Sequence, residues 1–281
     1  MAMMASAVAT FSSCEDELPE PQMKPRTAVT VQTDWSACGL ESEPSSYFMS
    51  VNNEVSTVSG NTQQLTLKSN YDYSFLLYTG SSSVTVSENA ASIGKSKFQV
   101  DDANAINGNV DDFCYGLATD ASLTGDSKTI NVTMKRLTRK VNLSLAVAPS
   151  YKDAEGNDIT IQGGYAYVTN AYSVYNFSAN TPTTPVTAVS EFTINSEDHS
   201  VVAPFNLFGL DLQSGVTVTY VLSMSNGTTR VITSDVTSLL ADFNDGNLSD
   251  LNFKADVKLS GITTAISNWE VVKGDDIILK K

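Results

Sequence analysis

The sequence predicts an all-β protein built as two tandem β-sandwiches. Apolar residues recur with a period of two from Ala28 onward, and Ser, Thr, Asn and Val fill positions that charged residues usually take. An Asn226-Gly227 pair also sits between two alternating runs. Alternation marks strands with one buried face. β-branched side chains suit a pleated surface, while Ser and Asn compete with the helical backbone for hydrogen bonds. Charged residues are 17% of the 281, against about 25% in soluble domains generally. Hydrophobic residues are 41%, enough to bury a core, and no run is long enough to cross a membrane as a helix.

Val29, Val31, Thr33 and Trp35 share one face of a first strand. Leu65 and Leu67 alternate with Gln64, Thr66 and Lys68, and Tyr71, Tyr73, Phe75 and Leu77 form a further face that stops at Thr79-Gly80. Ile130, Val132 and Met134 continue the pattern, as do Val141, Leu143, Leu145 and Val147. Val216, Val218, Tyr220, Leu222 and Met224 lead into Asn226-Gly227, and Val231 and Thr233 lead out. That pair predicts a two-residue type I′ hairpin, because Asn and Gly accept positive φ. Phe253, Ala255, Val257 and Leu259 form a strand, and Ile277 to Leu279 a last short one. One short helical turn is expected, capped by Asp235 and running through Leu239 and Leu240.

The N-terminus reads as an export segment. Ala2 to Phe11 is apolar and rich in small residues, and Phe11-Ser12-Ser13-Cys14 resembles a bacterial lipobox, whose Cys is lipidated and becomes the new N-terminus. No Lys or Arg precedes the apolar stretch, which points to a start upstream of Met1. Glu15-Asp16-Glu17 and Pro19, Glu20, Pro21 and Pro25 follow. Such a run cannot bury apolar surface and is expected to be an extended tether. Its acidic cluster is similar to the surface-export signal of Bacteroidetes lipoproteins. The expected units are a signal peptide over 1–13, a tether over 14–27, and sandwiches over 28–136 and 137–281, the last two of ordinary domain size.

Cys38 and Cys114 remain in the mature body. An exported chain permits a disulfide, but spacing alone cannot bring two Cα atoms within bonding distance. A bridge and two buried thiols both stay open. Net charge is −14, which repels phosphate backbones and argues against nucleic acid as a partner. Lys135, Arg136, Arg139 and Lys140 hold four of the seventeen basic residues. They read as a solvated bend or edge protection, or else as a dock for an acidic partner.

Catalytic and metal-binding patterns are weak. The one histidine, His199, lies in Glu197-Asp198-His199-Ser200 with no nucleophile or orienting group marked nearby. Neither a Gly-rich phosphate loop nor a paired-Cys or His-Glu-x-x-His zinc spacing occurs, so no cofactor or metal is expected. Asp101-Asp102, Asp111-Asp112 and Asp275-Asp276 are adjacent acids, which in a strand point to opposite faces. The stretch Asp242-Phe243-Asn244-Asp245-Gly246-Asn247 superficially resembles a calcium loop, but its acids and Gly are out of register and the closing Glu is missing. Tyr165, Tyr167, Tyr172, Tyr175 and Phe177 cluster. Exposed, they would offer a platform for sugar rings; buried, they form the second core, which the shared face of Tyr165 and Tyr167 favours.

The lipobox, the acidic tether and a first strand ending in Asp34-Trp35 combine with the stretch Ile130-Asn131-Val132-Thr133-Met134-Lys135-Arg136-Leu137-Thr138-Arg139-Lys140-Val141. With Trp269 ahead of a final strand, this layout resembles the Bacteroidales fimbrial proteins, the fimbrillins and their anchor lipoproteins. The resemblance implies Greek-key, transthyretin-like sandwiches. It also implies partners, other fimbrial subunits joined by strand exchange, in which an extended segment of one chain completes a sheet in the next. Stalk subunits of that family are trimmed after a basic residue, for which Arg26 is the matching position; an anchor keeps its first strand and its lipid. The expectation is therefore a non-enzymatic lipoprotein on the outer membrane that anchors, caps or forms part of a fimbria. The rival is a surface glycan-binding lipoprotein, and a hydrolase would require acids converging in a cleft.

Overall fold

The computed structural model describes residues 25–147, 151–152, 155–195, 197, 200–246, 249–259 and 264–272. Among them there is no α-helix, only a single 3-10 turn at Leu212–Ser214. The chain opens with β1 (Arg26–Ala37), β2 (Tyr47–Val51), β3 (Glu54–Val58), β4 (Thr62–Lys68) and β5 (Asp72–Tyr78). Next come β6 (Val84–Ser87), β7 (Ala90–Ile93), β8 (Ile106–Asn107), β9 (Cys114–Ser122) and β10 (Ser127–Arg136). Then follow β11 (Arg139–Val147), β12 (Tyr151–Lys152), β13 (Asp158–Ile159), β14 (Ile161–Asn176) and β15 (Thr181–Glu191). The last are β16 (Thr193–Ile194), β17 (Val201–Leu207), β18 (Thr217–Met224), β19 (Thr229–Asp235), β20 (Leu251–Leu259) and β21 (Thr264–Val271).

The first sheet has seven strands in the order β3-β2-β5-β9-β10-β1-β4. β1 is internal, parallel to β10 and antiparallel to β4. β9 and β10 pair only at Lys135↔Tyr115 and Arg136↔Cys114, so the sheet splits there and its two halves enclose a core. Val29, Val31 and Trp35 of β1 and Ile130, Val132 and Met134 of β10 meet Met49, Phe75 and Leu77 in that core. The alternation read from β1, β5 and β10 is therefore the inward face of a split sheet. Gly116 permits the close approach at the split: a Cβ there would lie 2.5 Å from Val132 Cγ1 and 2.7 Å from Met134 Sδ.

The second sheet has the order β16-β17-β11-β20-β21, and a third runs β19-β18-β14-β15-β8 with β7 also on β14. Leu143 and Leu145 of β11, Phe205 of β17 and Phe253 of β20 pack against Ala166, Val168, Val218 and Leu222 of the facing sheet. The buried Tyr220 hydroxyl crosses this core to donate to the Leu143 carbonyl at 2.8 Å.

The two cores meet at β5 and β9. Phe75 and Leu77 face the first core, while Leu76 and Tyr78 face the second; Cys114 and Tyr115 divide in the same way. β5 is thus buried on both sides, and its last four residues read as a continuous apolar run. The expected division at 136/137 is also crossed in sequence. β7 pairs with β14 and β8 with β15, so 84–107 adds strands to the third sheet instead of completing the N-terminal unit. These strands are short, and their partners lie some eighty residues on; local periodicity carries no sign of that pairing.

Two local expectations change. The β18–β19 hairpin forms, but the Gly227 N–H donates to the Met224 carbonyl at 3.0 Å and only Gly227 of the pair has positive φ. The Asn226 side chain accepts from the Thr228 N–H and hydroxyl at 3.1 and 2.7 Å, fixing a type I turn with a Gly bulge in place of type I′. Asp235 accepts from the Thr237 N–H at 2.8 Å, yet the segment stops after one i→i+4 bond, Leu240 N–H to the Val236 carbonyl, and no helix follows. A two-residue turn with both central φ positive does occur elsewhere, at Asn52-Asn53 between β2 and β3.

Candidate functional site

The basic cluster does not form a solvated bend. Thr138 is fully buried at the β10–β11 junction, where its hydroxyl accepts from the Phe113 N–H at 3.1 Å. Arg136 and Lys140 both reach Asp112, at 2.6 and 3.0 Å. Asp112 also accepts from Asn206 at 3.0 Å, which ties β17 to the same carboxylate. Arg139 is buried, and its guanidinium donates to the carbonyls of Asp242, Phe243 (2.9 Å) and Ser249 (3.2 Å) and to the Asp245 carboxylate (2.8 Å). All but the Ser249 carbonyl belong to the stretch that resembled a calcium loop. They converge on a guanidinium because several orphan carbonyls in a turn match its fan of donors.

Lys135 completes the clasp. Its ammonium donates to Asn180 Oδ1 at 2.7 Å and lies 4.9 Å from the Tyr115 ring centroid. The Tyr115 and Tyr175 hydroxyls are 3.0 Å apart, and both lie within hydrogen-bond reach of the same Asn180 oxygen. Burial raises the pKa of both phenols, Tyr115 most. Lys135 and Lys140 thus reach partners on opposite sides of the β10–β11 junction, while Arg136 pins Asp112 beside it and Arg139 ties β11 to the turn after β19. Sequence reading missed this because the partners lie 24 to 110 residues away.

The adjacent acids are structural as well. Asp111 accepts from Ser81 and Ser82, while Asp112 faces the clasp, so the pair points to different elements. Asp102 accepts from the Thr187 N–H, which pulls its pKa below the usual carboxylate value. Trp35, Tyr175 and Phe177 are buried, and Trp269 is half-buried with its indole N–H on Ser234. The half-buried Tyr165 stacks on Phe98, centroids 4.9 Å apart, so these two rings cover one another. The shared face of Tyr165 and Tyr167 is therefore not the core face, which Ala166 and Val168 supply; Trp35, Tyr175 and Phe177 form no exposed row for a glycan.

Cys38 and Cys114 are both buried free thiols in the first core. Arg26 is the exposed first residue of β1. Cys14, His199, Asp275, Asp276, Asn247 and the last short strand at 277–279 lie outside the described residues.

The sheet edges are the remaining candidate surface. Among the described residues, β3 and β4 bound the first sheet, β16 and β21 the second, and β19 lies at one end of the third. Three of the four large apolar residues that stand out as exposed among the described residues lie on these strands: Val55 on β3 (56%), Val231 on β19 (58%) and Val271 on β21 (63%). Edge strands usually carry charge or Pro to block pairing. Here apolar side chains are presented beside unpaired backbone groups.

The family model for fimbrillin-A-associated anchor proteins matches residues 43–275. The chain belongs to that family. Solved structures share the fold at low identity. A candidate adhesin from Bacteroides ovatus superposes with a TM-score of 0.61 at 11% identity, covering 92% of this chain and 96% of its own. The fimbrial anchor protein of Porphyromonas gingivalis gives 0.52 at 13%, covering 88% and 97%. A Bacteroides thetaiotaomicron protein described as a candidate polysaccharide-binding protein gives 0.52 at 14%, covering 89% and 99%. No curated protein matches the sequence.

Proposed function

We propose that this protein is a cell-surface subunit of a fimbria-like adhesive polymer, tethered to the outer membrane through lipid on Cys14 and lacking catalysis. The observation that carries the reading is the family match over 43–275. Main-chain pairing at sheet edges supplies the contact with other subunits, and apolar side chains such as Val55 and Val231 set its register.

Within that role the anchor-type arrangement fits best. β1 begins at Arg26 and lies between β10 and β4. Scission after Arg26 would leave this strand in place and open no groove, whereas an anchor retains both strand and lipid. The tether enters beside Ser69, whose N–H donates to the Pro25 carbonyl at 2.9 Å, so the chain leaves the sheet from one end of β1.

Metabolic labelling with a palmitate analogue tests the lipid. Label is expected on the wild type and absent from Cys14→Ala; label persisting in the variant contradicts the tether.

A further inference from the structure

Cys38 and Cys114 are the only cysteines after Cys14. Both are completely buried in the first core. Cys38 closes a turn at the end of β1, its N–H donating to the Trp35 carbonyl at 2.9 Å. Cys114 opens β9 and is held from both sides by Thr79: its N–H donates to the Thr79 hydroxyl at 2.9 Å, and its carbonyl accepts from the Thr79 N–H at 3.0 Å. Both residues sit at the end of β10 where the split sheet is closed, at Ala37↔Lys135 on one side and Cys114↔Arg136 on the other. The two thiols lie within hydrogen-bond reach of each other there, and that contact, ahead of burial, pushes the pKa of Cys114 far up.

We propose that the exported protein carries a Cys38–Cys114 disulfide. Two S–H bonds break and one Sγ–Sγ bond forms; two protons and two electrons pass to the disulfide of a dithiol–disulfide oxidoreductase, which leaves as a dithiol. Thiolate is the attacking species. Once the core has closed, both thiols are buried away from an oxidant, so exchange is slow. The bond therefore forms during export, before the first sheet closes over it. It seals a loop of about 76 residues, long enough for a large restriction of the unfolded chain. It also fastens the end of β1 to β9 across β10, so β1 cannot leave the sheet. Only the significance of that retained strand rests on the fimbrial reading; the bond does not.

Peptide mapping of the full chain from outer membranes tests it. Free thiols are blocked with iodoacetamide in denaturant without reductant, and the protein is then cut with trypsin. Cys38 falls in the peptide 27–68 and Cys114 in 98–128. The expected result is one linked species, two hydrogens lighter than the sum, that splits on reduction. The predominant recovery of two separate carbamidomethylated peptides overturns the proposal. A second measurement uses protein folded as the dithiol: oxidised glutathione should leave it unlinked when native and link it when applied during refolding. The linked form should melt roughly 5–10 °C above the dithiol. Neither readout involves assembly, so failure here leaves the fimbrial reading standing.

Discussion

The Tyr115 hydroxyl lies 3.0 Å from that of Tyr175, joining β9 of the first sheet to β14 of the third. With Asn180 and Lys135 it forms a polar knot at the seam between the two cores. The seam is otherwise apolar, with Phe177 4.9 Å from the Tyr115 ring. Directional bonds inside it fix one packing of the two halves.

The knot has a pH signature. Burial raises Tyr115, Tyr175 and Tyr220 in the folded state. A phenol raised on folding contributes stability that is complete below the unfolded value, about 10, and is lost as pH rises through the folded one. Denaturant unfolding from pH 8 to 11 should show stability falling above about pH 10. The Tyr115→Phe, Tyr175→Phe double variant should fall less steeply. Equal slopes would remove these tyrosines as the cause.

Arg139 should be the costliest polar residue to lose. Arg139→Met keeps much of the volume but strands the carbonyls of Asp242, Phe243 and Ser249. A loss of about 2–4 kcal/mol is expected, measured by denaturant unfolding. A change within experimental error would mean that the freed carbonyls of Asp242, Phe243 and Ser249 relax to water.

Gly116 tests the split sheet. In Gly116→Val the new side chain must enter space held by Val132 and Met134, so a destabilisation of at least about 1–3 kcal/mol is expected from overpacking. Thermal unfolding reads it directly. A neutral substitution would mean that β9 and β10 separate more easily than their contacts imply.

The faces of single strands were legible in the sequence, and their partners were not. Val29, Val31, Thr33 and Trp35 all point inward, as alternation predicts, because a period of two is a property of one strand. The placement of 84–107 on the third sheet depends on pairs such as Tyr175↔Ala91, which no local pattern encodes. The basic cluster was misread for the same reason. Arg139 looks solvent-bound by residue type, and its burial is decided by oxygens a hundred residues away. Val231 was read as part of an alternating strand, and only the edge position of β19 shows that its face looks outward.

That outward face yields a prediction separating assembly from folding. Val231→Lys and Val55→Lys change exposed positions, so each should alter stability by no more than about 0.5 kcal/mol. If the corresponding edge takes a strand from another subunit, the charge should lower recovery of the polymer. Normal polymer from both variants would move the contact to another edge.

The most direct measurement is isolation of the affinity-tagged, full-length protein from its native cells in mild detergent, followed by gel analysis with and without boiling. A subunit joined by strand addition should run as a high-mass complex with other fimbrial subunits and collapse to a single chain only after boiling. A single chain at every temperature, with no co-isolated subunit, would contradict the fimbrial role.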